Sequence, residues 1–167
     1  MKKIMLLMSI LLMLCVTVSA QSKKEKANKT LESFHYEIEC AGVGSQGTAL
    51  VKVWSFSDTP DISKEQCEKN AVHGIIFKGY SGKENGCVAQ RALINTPGAE
   101  YEHSDYFRLF FADGGEYAKY VTVTNLARDV VKVGKQYKIG MTISVQKDAL
   151  RKALETGGVL KSLDSGF

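Results

Sequence analysis

Two stretches in which apolar and polar residues alternate one by one restrict the folds open to this chain. The first covers residues 34–40 and the second residues 137–145. A period of two predicts strands with one buried and one solvated face, which are typical of antiparallel sheets. A third stretch, residues 49–56, is apolar on both faces, and we expect it to lie inside the sheet.

Each predicted hairpin is followed by a predicted helix. Ser63 and Gln66 form a capping-box pattern, and Gly74 is placed to end a helix over residues 62–73. Leu150, Ala153 and Leu154 have helical spacing before Gly157. A strand-turn-strand-helix unit thus occurs twice, which predicts an α+β fold, an antiparallel sheet with helices on one face.

Three further elements are predicted outside these two units. The glycine-flanked apolar run over residues 74–80 indicates a strand that follows the first helix directly. A short helix over residues 105–112 and a strand over residues 117–124 are expected between the two units. Residues 128–133 are expected to form the first strand of the second unit.

The first twenty residues have the order of a secretory signal peptide. Lys2 and Lys3 precede an apolar run over residues 4–18, and small residues follow up to Ala20. This run is short for a bilayer span, which needs about twenty residues. We therefore expect cleavage after Ala20 and an exported chain of the periplasm or cell envelope, without a transmembrane span in its mature part.

The mature chain divides into a polar tether and one domain. Residues 21–33 contain one leucine and no aromatic residue, which predicts a flexible tether, and residues 34–167 form the single α+β domain. The net charge of +4 arises before residue 34, because the rest holds sixteen Lys and Arg against sixteen Asp and Glu. A nucleic-acid surface needs a basic stripe on the folded part, so we expect no nucleic-acid partner.

No motif indicates a cofactor or a metal. Gly42, Gly44 and Gly47 have the spacing of a dinucleotide-binding loop, but a strand follows them where a phosphate-binding helix is required. Four residues could be drawn together as zinc ligands but lack ligand spacing: Cys67, His73, Cys87 and His103. We expect neither group to be bound.

Three cysteines remain after the predicted cleavage, so three single disulfides are possible. Cys40 shares an apolar strand face and is interpreted as a small core residue. Cys67 falls on the first helix and Cys87 in an irregular stretch, which makes a bridge between Cys67 and Cys87 the preferred pairing.

Residues 81–103 form a long stretch with no clear period. Loops of this length in a compact domain tend to be functional or disordered. Its polar side chains are suited to binding a sugar, peptide or protein, and we take these as binding-loop candidates: Lys83, Glu84, Asn85, Gln90, Arg91 and Asn95. The alternative is a surface excursion that Cys87 holds in place.

Three runs carry a resemblance to known proteins: YEIECAGVGSQGTALVKVWSFS, AVHGIIFKG and YFRLFFADGGEYAKYV. They resemble small secreted proteins of unknown function from Bacteroidetes-type bacteria, over most of residues 34–160. The order of elements is also similar, more loosely, to small envelope lipoproteins and to curli-secretion and flagellar accessory proteins. The resemblance implies a fold and a destination but no catalytic residue.

These observations favour an exported, non-enzymatic binding or accessory protein, whose partner is an envelope protein or a glycan. The first alternative is an envelope hydrolase or thiol-dependent enzyme that uses Cys87 or Cys67 with a histidine. The second is an adhesion or filament subunit, which requires a sheet edge that pairs with itself.

Overall fold

The computed structural model describes residues 34–83 and 86–162. The predicted signal peptide, the predicted tether and the candidates Glu84 and Asn85 lie outside the described residues. In chain order the elements are β1 (Tyr36–Gly42), β2 (Ala49–Ser57), α1 (Lys64–Phe77), α2 (Ala99–Glu102), α3 (Ser104–Phe110), a 3₁₀ helix (Glu116–Tyr120), β3 (Val121–Val133), β4 (Gln136–Val145) and α4 (Lys147–Thr156).

The four strands form one antiparallel sheet in the order β1-β2-β4-β3. Two hairpins, each followed by a helix, are thus joined through their second strands, which confirms the predicted α+β fold with its repeated unit. The inner faces of β2 and β4 are fully buried beneath the helices, as Val51, Val53, Ile139 and Ile143 show. Among the described residues no helix is long and apolar enough to cross a membrane.

Helix α1 begins as predicted but ends later. The hydroxyl of Ser63 accepts a hydrogen bond from the Gln66 backbone N–H at 3.1 Å. The predicted strand over residues 74–80 is wrong, because the helix continues through Gly74 to Phe77. A Cβ atom at Gly74 would stand 2.6 Å from Ile38 Cδ1, so this glycine lets the helix approach β1 closely.

Gly79 is the glycine at which the chain leaves α1. It has φ of +65°, and its N–H donates to the Gly74 carbonyl at 2.8 Å, which satisfies one of the last helical acceptors. A Cβ atom here would be 2.2 Å from the Gln90 carbonyl oxygen. Position 79 therefore requires a glycine for two reasons, because its backbone is left-handed and because another backbone segment lies too close for a side chain.

We expect Gly79→Ala to lower the free energy of unfolding by about 2–3 kcal/mol, of which left-handed strain contributes about 1–2 and the steric clash the remainder. Gly134→Ala is the matched control, because Gly134 has φ of +62° and open space where its Cβ would be. Urea denaturation of both variants separates the two contributions. Equal losses in the two proteins would contradict the close approach at Gly79.

Strand β3 differs from the prediction in length and in its beginning. Residues 117–120 belong to the 3₁₀ helix, and the two predicted strands are one continuous edge strand from Val121 to Val133. Its pairing with β4 shifts register twice, on either side of Asn125. Such bulges twist an edge strand away from flat pairing with another chain.

Candidate functional site

One face of the sheet points away from the helices, and no helix of the described residues covers it. We call it the open face, and its central side chains belong to β2 and β4. On β2 the open face presents Leu50, Trp54 and Phe56, each half-buried, while the opposite face of the same strand is fully buried. Sequence analysis placed β2 inside the sheet, which its pairing with both β1 and β4 confirms, but it named no residue of the open face as a site candidate.

Trp54 is held in a fixed position at the centre of the open face. Its register partner on β4 is Gly140, where a Cβ atom would be 2.8 Å from the Trp54 ring. The indole Nε1–H donates to Glu39 Oε1 at 2.8 Å. The Lys52 ammonium lies 4.3 Å from the ring centroid, within the range of a cation–π contact. These contacts restrain the ring before any partner binds.

A second aromatic pair extends this platform along β2. Phe56 stacks on His35 with ring centroids 4.5 Å apart and an interplanar angle of 22°. Lys138 lies 5.2 Å from the Trp54 ring and 5.7 Å from the Phe56 ring. The open-face line of β2 from Leu50 to Phe56, which includes Lys52, spans six residue steps, about 20 Å along a strand.

Ion pairs surround the aromatic line with balanced charge. Three pairs lie on or beside the open face: Lys138 with Glu37, Lys52 with Asp129, and Lys83 with Glu39. The hydrogen bonds from Lys83 and then from Trp54 hold the pKa of Glu39 below its usual value. The charged side chains here are thus already paired with one another.

The binding-loop candidates do not form one site. Lys83 reaches the rim of the open face through its ion pair with Glu39 at 2.6 Å. Gln90 and Arg91 line an open groove of about 590 Å³ along β1. Asn95 borders a different cavity, of about 450 Å³, with the end of the described chain.

The stretch that carries these candidates is firmly attached to the domain. Tyr80 and Gln90 exchange two backbone hydrogen bonds of 2.8 and 3.0 Å. Further along, the Leu93 and Ile94 N–H groups donate to carbonyls of α1, and both side chains are buried. Because the loop is anchored at both ends, its polar groups lose little conformational entropy when they bind a partner.

The disulfide differs from the predicted one. Cys40 and Cys87 are bonded, with Cα atoms 6.1 Å apart, while Cys67 is a buried free thiol. The predicted bridge between Cys67 and Cys87 is therefore wrong. Cys67 faces inward from α1 to Ser55 on β2, whereas Cys40 lies at the end of β1 beside the attached loop.

A buried hydrogen-bond network joins three elements on the covered side of the sheet. The Tyr36 hydroxyl is 2.6 Å from His73 Nδ1, and His73 Nε2 is 3.1 Å from Glu100 Oε1. Because Nε2–H donates to the carboxylate, Nδ1 accepts from the tyrosine. Burial raises the pKa of Tyr36 and lowers that of His73, so both groups are neutral. Phe34 stacks on the imidazole at 3.8 Å.

Neither cysteine that the enzyme alternative requires offers a reactive thiolate. Cys87 is oxidised, and burial raises the pKa of the Cys67 thiol, which favours the unreactive protonated form. His73 is fully engaged by Tyr36 and Glu100. Within the described ranges, no group of three or more His, Cys, Asp or Glu residues could hold a metal ion.

Comparison with known proteins identifies no relative of this chain. No protein-family model, no curated protein and no solved structure matches this chain.

Proposed function

We propose that this chain is an exported, non-enzymatic accessory protein that binds another protein of the periplasm or cell envelope through its open face. One observation carries the proposal. On the side of β2 that described helices leave uncovered, Leu50, Trp54 and Phe56 remain half-exposed, with Lys52 between Leu50 and Trp54. Aromatic residues at a surface with polar residues around them are typical of an interaction site.

The composition of the open face favours a protein over a glycan as partner. Interface centres are rich in aromatic residues and carry few unpaired charges, as the line from Leu50 through Trp54 to Phe56 does. A glycan would have to take the Lys52 and Lys138 ammonium groups from their carboxylate partners, whereas a protein surface can pack on the aromatic rings with both ion pairs intact. The balanced charge also suits a partner without strong net charge.

Two further features support a binding role. In the Tyr36–His73–Glu100 network, Tyr36 and His73 are buried and their polar side-chain atoms are hydrogen-bonded within the network, which is typical of a structural role. The export part of the proposal rests on the pattern of residues 1–20, and the Cys40–Cys87 disulfide suits an oxidising compartment.

Photo-crosslinking in the native cells tests the proposal. A benzophenone amino acid in place of Phe56 is expected to give a discrete covalent adduct with one protein. Trp54→Ala is expected to remove most of that adduct, because aromatic anchors at interface centres each contribute about 2 kcal/mol or more. The intact mass of the uncrosslinked chain from the same cells reports whether the mature chain begins at Gln21.

The matched control places the same amino acid at Tyr101, which is 86% exposed on the helical side. Circular dichroism confirms that each variant remains folded. Equal adducts from both positions, no adduct from Phe56, or an adduct with a glycan would each overturn the proposal of a protein partner at the open face.

A further inference from the structure

A second candidate site lies on the helical side, away from the open face. A cavity of about 440 Å³ opens between α3, the 3₁₀ helix and α4. We call it the tyrosine cavity, because Tyr106 and Tyr120 line it. Three small residues also line it, Ala149 and Ala153 of α4 and Gly157 directly after that helix. This volume falls within the range of about 300–1,000 Å³ that small-molecule sites occupy.

The two tyrosine rings are held by the core. Phe110 is buried and stacks on both of them, on Tyr106 at 5.7 Å and on Tyr120 at 6.2 Å between ring centroids. Tyr106 also rests against Gly157, where a Cβ atom would be 2.7 Å from the ring. The cavity therefore exists without a ligand and needs little ordering to bind one.

Several polar groups at the cavity have no partner within the described ranges. The hydroxyl groups of Tyr106 and Tyr120 make no hydrogen bond there, and the Lys152 ammonium makes no ion pair with any described residue. Burial, and then the Glu116 carboxylate, raise the pKa of Tyr106, which places that carboxylate near the phenol. Ligand sites combine an apolar floor with a few such polar groups.

Glu116 already holds an ammonium group at the rim. The Lys119 ammonium is 2.9 Å from Glu116 Oε1, and both side chains are more than half exposed. An exposed ion pair of this kind is weak, so a ligand can displace it. The ion pair indicates that a cationic amine can bind at this rim, because a carboxylate and two tyrosine rings both attract such a group.

We propose that the tyrosine cavity binds a small zwitterion, an amino acid or a dipeptide, through both of its charged ends. The ligand ammonium contacts Glu116 and the electron-rich tyrosine rings, in place of Lys119. The ligand carboxylate contacts the ammonium of Lys152, which also lines the cavity. Its short apolar body lies over the small residues of α4.

Calorimetric titration with alanylalanine tests this site in the full chain. The unmodified dipeptide is expected to bind, while its N-acetyl and carboxamide derivatives, which each lack one charge, are expected to bind at least about tenfold more weakly. Shifts of the Ala149 and Ala153 methyl resonances locate the bound dipeptide. Binding of all three compounds with equal affinity, or of none at millimolar concentration, would overturn the proposal.

Two substitutions are expected to change the affinity for the dipeptide in opposite directions. Glu116→Gln is expected to weaken dipeptide binding at least about tenfold, and Lys119→Met to strengthen it about two- to threefold by removing the competing ammonium. Glu102→Gln, an exposed change outside the cavity, is the control. Trp54→Ala is expected to leave dipeptide binding unchanged, so this test and the crosslinking test fail independently. Unchanged affinity in both Glu116→Gln and Lys119→Met would refute the assigned ammonium position.

Discussion

Replacing Cys87 with serine is expected to lower the free energy of unfolding by about 4 kcal/mol, because the lost bridge closes a long loop. Cys40 and Cys87 are 47 residues apart in the sequence, and the bridge restricts the unfolded chain over that distance. It also fixes the loop that carries Lys83 beside β1. A loss of this size is a large fraction of the stability of a small domain.

Urea denaturation of a set of cysteine variants checks the pairing. Cys40→Ser, Cys87→Ser and the double variant are expected to lose the same amount, because either change alone already removes the bridge. A reducing agent is expected to bring the wild-type protein to the same stability and to leave these variants unchanged.

Cys67→Ala is the matched control for the disulfide. This side chain is fully buried but unbridged, so its truncation is expected to cost only about 1 kcal/mol for a small cavity. The stability of this variant should still fall on reduction. If Cys67→Ala were insensitive to reducing agent while the wild-type protein lost stability, Cys67 would belong to the bridge and the Cys40–Cys87 pairing would be refuted.

The disulfide shows what the local pattern of apolar and polar residues predicts about a cysteine and what it does not. The alternation over residues 34–40 correctly predicts that Cys40 faces inward from β1. Whether its sulfur meets Cys67 or Cys87 depends on how the loop after α1 returns to the sheet. That return is fixed by Gly79 and by the Tyr80–Gln90 hydrogen bonds, neither of which has a periodic signal. Pairing of cysteines is a property of the tertiary structure.

Gly74 shows a second way in which sequence reasoning fails. A glycine after a helical pattern usually marks the end of the helix, and the β-branched residues Ile75 and Ile76 then indicate a strand. In the structure Gly74 is needed inside α1 for contact with Ile38, and both isoleucines are core residues of the helix. Tertiary packing overrides local propensity here.

The open face follows from the predicted fold, because helices on one face of a sheet leave its other face without them. The pattern of β2 correctly placed this strand inside the sheet, but it singled out no residue of the open face as a site. The Trp54–Gly140 contact depends on the β2–β4 register, which no single strand pattern reveals. The Tyr36–His73–Glu100 network was equally out of reach, because its members come from three elements and meet only after folding.

His73→Ala is expected to lower the free energy of unfolding by about 3 kcal/mol, because it leaves a cavity and deprives the buried Tyr36 hydroxyl of its acceptor. Phe34 also loses its stacking partner. Tyr36→Phe is the milder companion, since it keeps the ring and removes one hydroxyl, and about 1 kcal/mol is expected. Thermal or urea unfolding at pH 7.5 measures both.

The same histidine is expected to make stability depend on pH. Burial, assisted by Lys78, lowers the pKa of His73 in the folded chain, and Glu100 opposes this shift only in part. In the unfolded chain the imidazole has its ordinary pKa near 6.5. Below about pH 6.5 the unfolded state therefore takes up a proton that the folded state does not, and stability falls by up to about 1.4 kcal/mol per pH unit.

A glutamine variant isolates this contribution. His73→Gln is expected to have a flatter stability profile than wild type between pH 7.5 and 5, because it removes the imidazole that the folded chain keeps neutral. The loss should level off once the pH falls below the folded pKa of His73, since both states are then protonated. Equal slopes in His73→Gln and wild type would mean that the imidazole is not held neutral between Tyr36 and Glu100.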